Sequence, residues 1–371
     1  MKTKSLAGML LSICLVLVFG VGLAAGSSEG GHAPVRPTGA DGDGYADLAI
    51  GIPYRDIIDG DDTFLGAGIV GVVYGTDGGL NYAGGETYNR VNDDLYPPAS
   101  ANDHFGQALA AGDFNRDGYL DLAIGLPDQD WTTGDNSGAV DILFGDDGGF
   151  NNDETGFVFQ ESLGSNISET NDRFGAALAA GDFNGDGCDD LAIGAPGQDF
   201  LSTVESTGAV FIAYGGPEGP GHEGWQVIYQ GIGIQENPEE TDNFGSVLAA
   251  GDFDGDRIHD LAIGVPNEDI LVGATTYVDA GVVQVMYGSK SGLASDGNDL
   301  LYQGHDGLQD DLTNYDRFGA ALAAGNFDGG RYDDLAIGVP FEHRLSIDDG
   351  IVQIVWGDVG GLTTDIDLRL W

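Results

Sequence analysis

Cationic residues are scarce in this chain of 371 residues: 13 Lys and Arg stand against 61 Asp and Glu, for a formal charge of −48. A surface so acidic repels polyanions, so nucleic acid and anionic membrane surfaces are excluded as partners. Cysteine is nearly absent as well. Of the two, Cys14 lies in an N-terminal apolar run, leaving Cys188 alone in the body of the chain. No intrachain disulfide can form there, so something else must stabilise the fold. Beyond the run Ala7 to Ala25 no segment is apolar for long enough to span a bilayer. Helix-favouring acids are also few, with 48 Asp against 13 Glu. Asp is poor in helix interiors and good in turns, which argues against an all-helical protein.

What the sequence has in abundance is glycine, 64 residues or about 17%, without the every-third-residue period of collagen. Hydrophobic residues at 42% supply enough material for a core. Many tight turns between short elements are therefore expected. At the N-terminus Lys2 and Lys4 precede the apolar run, and Ala24-Ala25-Gly26 precede polar Ser27. Residues 1–26 are expected to be a signal peptide and the mature chain to be secreted, the alternative being an uncleaved N-terminal anchor. Residues 27–38 read as a short linker or degenerate strand.

From residue 39 onward the chain is a repeat. Asp47-Leu48-Ala49-Ile50-Gly51 recurs in kind from Asp121, Asp190, Asp260 and Asp334, at intervals of 74, 69, 70 and 74 residues. The third cassette shows four strand-like segments: Phe174 to Ala180, Asp190 to Gly194, Gly208 to Gly215 and Trp225 to Tyr229. Four antiparallel strands at this period predict an all-β protein, a β-propeller of four-stranded blades over 39–371 with five cassettes, the first incomplete. A stacked β-solenoid is the competing architecture, with a repeat usually much shorter.

Between the first two strands of the third cassette runs Asp182-Phe183-Asn184-Gly185-Asp186-Gly187-Cys188-Asp189-Asp190. Oxygen-bearing side chains stand at turn positions 1, 3, 5 and 9, and Cys188 at position 7 offers its backbone carbonyl. Hard oxygen ligands around a sharp turn suit Ca²⁺. The second cassette repeats the set with Asp113, Asn115, Asp117, Tyr119 and Asp121, and the fourth with Asp252, Asp254, Asp256, Ile258 and Asp260. These are three strong candidate sites. The first cassette has Gly39 at position 1 and keeps Asp41, Asp43 and Asp47; the fifth keeps Asn326, Asp328 and Asp334 but has Gly330 at position 5. Both are expected to bind weakly or not at all. Asp-Gly turns also form without metal, but three complete sets of crowded carboxylates favour a cation.

Phe-Gly, this turn and then Gly-x-Pro together resemble the FG-GAP repeat family, the blades of the integrin α-subunit propeller. The pattern stands at Phe174-Gly175 with Gly194-Ala195-Pro196, and Phe-Gly recurs at Phe105, Phe244 and Phe318. The resemblance implies a calcium-stabilised propeller used for extracellular recognition or adhesion, with the calcium ligands just named. Integrin propellers have seven blades. Five cassettes leave open an incomplete arc, a closed five-blade ring, or completion by another chain, and exposed blade edges would invite association.

Catalytic signatures are lacking. Gly66-Ala67-Gly68-Ile69-Val70-Gly71 matches a dinucleotide glycine pattern, but it begins a strand and no helix follows. No His-Glu-x-x-His or Gly-x-Ser-x-Gly occurs, and no catalytic residue is assigned. On the face opposite the turns, Asp56, Asp130, Asp199 and Asp269 each follow a Pro by three residues, near Tyr54, Trp131, Phe200, Tyr277 and Phe341. A protein or glycan ligand is expected there, with Trp131, Asp130, Phe200, Asp199, Tyr277 and Asp269 as contacts; the alternative is that the acids shape turns. A lectin, or a propeller enzyme such as a polysaccharide lyase or phosphoesterase, is the rival reading. Even five calcium ions would leave a charge of about −38; high salt or a cationic habitat would account for the rest.

Overall fold

A computed structural model describes residues 15–19, 39–91, 98–130, 135–163, 167–199, 206–231, 238–295, 297–305, 307–308, 311–344, 347–348 and 350–370. Its strands form five four-stranded antiparallel sheets in chain order and three small hairpins. In the third sheet Ala177–Gly181 is innermost, followed by Asp190–Ala195, Ala209–Ala213 and Trp225–Ile228. Ala177 pairs with Gly194, Leu191 with Ala213, and Val210 with Ile228. The second and third strands are buried along their whole length because another sheet covers each face. That is why they read as unbroken apolar runs rather than alternating ones. The outermost strand, covered less, carries Trp225 and Gln226.

The inner strands Leu109–Gly112, Ala177–Gly181, Val247–Gly251 and Ala321–Gly325 lie side by side in sequence order. This is the blade arrangement of a β-propeller. In the first sheet the innermost position is taken by Leu15–Phe19, which pairs antiparallel with Asp47–Ile52. That strand falls inside the stretch expected to be a signal peptide; a run of Leu, Val and Phe also suits a strand. The linker 27–38 lies outside the described residues.

Among the described residues the core is not one cluster but four, each between two successive sheets. Val70 and Tyr88 of the first blade pack with Leu122 and Leu143 of the second. Val140 and Ile142 meet Leu191 and Phe211, Ile212 and Ile228 meet Leu261 and Ile263, and Val283 and Val285 meet Leu335 and Ile337. Polar clasps accompany them. Gln160 donates to Gln198 at 2.5 Å and Gln230 to Glu268 at 2.6 Å, and Arg90–Gln129 and Gln303–Glu342 repeat the contact. Each joins the end of one blade's outer strand to the next blade, and all eight residues are buried.

Phe-Gly has a different place from the one expected. Phe174 and Gly175 precede the regular part of the inner strand, and Phe174 forms a parallel bridge to Gly138 of the preceding blade. The Phe105, Phe174, Phe244 and Phe318 amides donate to Ala67, Ser137, Thr207 and Ala280 of the blade before, at 2.9–3.1 Å. Beside each, glycines meet backbone to backbone: a Cβ at Gly51, Gly125, Gly194 or Gly264 would overlap the carbonyl of Gly106, Gly175, Gly245 or Gly319. At Gly338, the same motif position in the fifth blade, the nearest atoms all belong to Ala321 of its own blade.

A contrast follows. Gly194→Ala should lower unfolding stability by more than about 2 kcal/mol, because backbone must shift to admit the methyl group. Gly338→Ala should cost clearly less. Denaturant titration of both variants measures the difference, and equal losses would refute a blade junction at Gly194 that Gly338 lacks.

Candidate metal centres and the opposite face

The second and third turns share one hydrogen-bonding scheme. Asp182 at position 1 accepts from the Asp186 amide at 3.1 Å and the Gly187 amide at 2.9 Å. Asn184 accepts from Asp186 at 2.9 Å, and Asp186 accepts from Cys188 at 2.8 Å. Asp113, Asn115 and Asp117 repeat these bonds with the amides of Asp117, Gly118 and Tyr119. Successive side chains are thereby turned toward one centre while the backbone curls round them.

In the fourth turn Asp252, Asp254 and Asp260 place carboxylate oxygens within 4.8 Å of one another. Asp252 Oδ1 is buried and has no hydrogen-bond partner. A buried anionic oxygen without a donor is costly, and a hard cation at this point would satisfy it. Asp256 is oriented as its counterparts are, accepting from the Ile258 amide at 2.8 Å. Arg257, where the other complete turns have glycine, holds φ +76 and donates its amide to Asp252 at 3.1 Å.

Position 9 does more than the sequence suggested. All five of these aspartates are buried, and each spends both oxygens on backbone amides. Asp190 accepts from Phe183 and Gly215, both at 2.9 Å; Asp121 from Phe114 and Gly145; Asp260 from Phe253 and Gly288. Asp47 does the same with Ala40 and Gly75, and Asp334 with Phe327 and Gly357. The residue thus ties the turn to the end of the third strand. Burial, then the neighbouring carboxylates acting against the amide bonds, pushes Asp121, Asp190 and Asp260 up to about 8. Asp113 rises to about 6 for the same reasons, burial first. A bound divalent ion would favour the ionised forms.

The two incomplete turns differ as their sequences imply. In the first, Asp41 and Asp43 accept from the Asp43 and Tyr45 amides at 3.1 and 2.9 Å, but Gly39 brings no carboxylate. In the fifth, Asn326 Nδ2 donates across the turn to the Gly330 carbonyl at 3.0 Å, so an amide donor stands where the complete turns have an acceptor. Side chains at position 7 face the blade before: Tyr119 lies against Gly42 and Ile258 against Gly185. Cys188 Sγ contacts the Phe114 carbonyl at 3.2 Å, and burial pushes its thiol up to about 12. It is an inert packing group.

On the opposite face the recurrent aspartates close loops. Asp56 accepts from Gly66, Asp130 from Asn136 and Asp269 from Asp279, at 2.8–2.9 Å, and Asp199 binds the Ser206 amide. Each carboxylate therefore spans the connection between strands two and three. Trp131 and Phe200 lie outside the described residues. Tyr277 sits half-buried in the hairpin Ile270–Val272 with Thr275–Tyr277. Tyr54 and Phe341 are exposed, as are Ile58 and Leu271 near the hairpin tips. Sequence reasoning did not find the hairpins; their alternation is too short to read.

Residues 105–143, 174–212 and 244–286 match the FG-GAP repeat. The chain therefore carries three FG-GAP repeats, and they are the cassettes with complete turns. It is 32% identical over 180 residues to phosphatidylinositol-glycan-specific phospholipase D of Bos taurus, covering 48% of this chain and 20% of that protein. It is 27% identical over 331 residues to integrin alpha-8 of Mus musculus, covering 85% of this chain and 28% of that one. The chain thus spans between a fifth and a third of these two relatives. A rhamnogalacturonan lyase of Bacillus licheniformis aligns with a TM-score of 0.40 at 14% identity, over 79% of this chain and 49% of that one.

One buried acid away from the turns gives a pH expectation. Asp172, which accepts from the Glu169 amide at 2.7 Å, is pushed up to about 7 by burial, against the lowering effect of that amide and of Gln160. Protons are therefore held more tightly by the folded chain than by the unfolded one. Its stabilisation is complete below the ordinary carboxylate range and is lost as pH rises through about 7. Asp172→Asn keeps an acceptor and should flatten the fall in stability between about pH 4 and pH 8, read by denaturant titration at each pH. An unchanged slope would contradict it.

Proposed function

We propose that this chain is a secreted, non-enzymatic, calcium-binding propeller module that recognises an extracellular protein or glycan. The observation that carries the calcium reading is the partnerless buried Asp252 Oδ1 within its cluster of acids. Asp113, Asn115, Asp117 and Asp121, Asp182, Asn184, Asp186 and Asp190, and Asp252, Asp254, Asp256 and Asp260 would hold the ions, joined by the carbonyls of Tyr119, Cys188 and Ile258. The cation would supply charge neutralisation. The residues themselves set the turn: position 9 anchors it to the blade, positions 1, 3 and 5 orient its amides, and position 7 packs on the adjoining blade. Asp41, Asp43 and Asp47, and Asn326, Asp328 and Asp334, would bind weakly or not at all.

Recognition is assigned to the face with the hairpins, opposite the metal turns along the antiparallel strands. Exposed Tyr54, Phe341, Ile58 and Leu271 there offer apolar contact. Integrin alpha-8 among the relatives supports an adhesion role. The aromatic rings also favour a glycan as the second reading, since sugars stack on exposed aromatic faces. The Asp130, Asp199 and Asp269 carboxylates would act there mainly by fixing loop shape, with Trp131, Phe200 and Tyr277 as contacts.

Thermal melts with calcium titrated against a chelator test the proposal. Each filled site should add about 2.7 kcal/mol at a hundredfold excess over its Kd, given no binding to the unfolded chain. Asp186→Ala should remove part of the calcium response and Asp328→Ala should not. A melt indifferent to calcium, or equal losses in the two variants, would sink the metal reading.

A further inference from the structure

Four junctions join the five blades, and each repeats one backbone hydrogen bond and one buried position-2 side chain. The position-8 amide of one blade donates to the position-1 carbonyl of the blade before: Leu120 to Gly39, Asp189 to Asp113, His259 to Asp182 and Asp333 to Asp252, at 2.8–3.2 Å. In three of them the position-7 side chain covers the preceding position-4 glycine, with Tyr119 over Gly42, Ile258 over Gly185 and Tyr332 over Gly255, and in the other Cys188 meets the Phe114 carbonyl. Position 2 is sealed beneath the following blade, so that Ala40, Phe114, Phe183 and Phe253 are 0% exposed.

Among the described residues, no blade packs on the flank of the fifth blade that carries the first half of this junction. Phe327, at position 2, is 47% exposed. Among the described residues nothing lies within 4 Å of a Cβ built at Gly329, the position-4 glycine, and the nearest atoms to one at Gly338 belong to its own blade. Ala321 and Ala323 on the inner strand are exposed, whereas Ala177 and Ala179 in the third blade are buried. The first blade presents the other half. Tyr45, the position-7 residue, is 43% exposed, and Ala46 at position 8 carries the amide that elsewhere reaches a preceding turn. Among the described residues both halves are exposed, and they do not meet each other.

We propose that the exposed flank of the fifth blade binds the exposed flank of the first blade in a second copy of this chain, head to tail. Tyr45 of one copy then covers Gly329 of the other, the Ala46 amide reaches the Asn326 carbonyl, and Phe327 becomes buried. The occupant is named by continuity: four junctions within the chain already join these two surface types. Because the contact joins unlike surfaces, it propagates to a closed ring or an open chain. With a formal charge of −48 per copy, association strengthens as salt screens repulsion.

Sedimentation velocity across a wide concentration range, at low and high salt, tests this with the full chain and two single variants, Phe327→Glu and Tyr45→Glu. Both side chains are half exposed, so the variants keep the fold, which is checked by their melting temperatures. The wild type should associate with concentration, more at high salt. Each variant alone should stay monomeric, lacking one half of the junction. Their equimolar mixture should form dimers and nothing larger, because it contains one intact fifth flank and one intact first flank. A wild type that is monomeric throughout, variants that still associate alone, or a mixture that stays monomeric would each overturn the proposal.

Discussion

The rest of the blade depends on a carboxylate that water does not reach. Asp47, Asp121, Asp190, Asp260 and Asp334 each accept one amide from the turn and one from the end of the third strand. Burying an unpaired carboxylate would cost several kcal/mol, and two amide donors offset much of that. The bonds fix the turn in space. They also hold the position-9 acid near the acids at positions 1, 3 and 5, a crowding of negative charge that a bound cation would relieve. Turn shape and carboxylate crowding thus share one cause, and the position-9 tie persists in the fifth blade, where Asn326 and Gly330 replace acids.

Blade packing follows a second constraint, the close approach of backbones at each junction. Gly194 against Gly245 leaves no room for a side chain, and Phe244 is clamped by the Thr207 carbonyl beside it. Apolar layers such as that around Ile212 and Leu261 then fill the space between sheets rather than within one. Stability is therefore shared between neighbours, as in other repeat architectures, and an end blade has half the support of an inner one. Exposure of Phe327 against complete burial of Phe183 shows the consequence in residues that are otherwise equivalent.

Much of this was legible in the sequence because the repeat averages over local ambiguity. Five copies of Asp-Leu-Ala-Ile-Gly located the second strand within a residue, and Asp190–Ala195 adds only Ala195 to the expected Asp190 to Gly194. Phe-Gly was misplaced because an apolar residue next to small ones reads as strand, and only the neighbouring blade reveals the bridge to Gly138. Asp121 could be read as a ligand but not as a tie to Gly145, since that partner is 24 residues away. Similarly, Cys188, Tyr119 and Ile258 invite a reading as carbonyl ligands, while their packing role belongs to the adjoining blade. Buried clasps such as Gln230 with Glu268 carry no local signal at all, since either residue alone looks like surface.

The central claim is that three turns, and not five or none, hold calcium. Equilibrium dialysis of the metal-stripped chain against calcium, with ion content measured per chain, tests it most directly. About three tightly held ions per chain are predicted, from the ligand sets at Asp113, Asp182 and Asp252. No calcium retained above the background of a magnesium control, or five equivalent sites, would contradict the account.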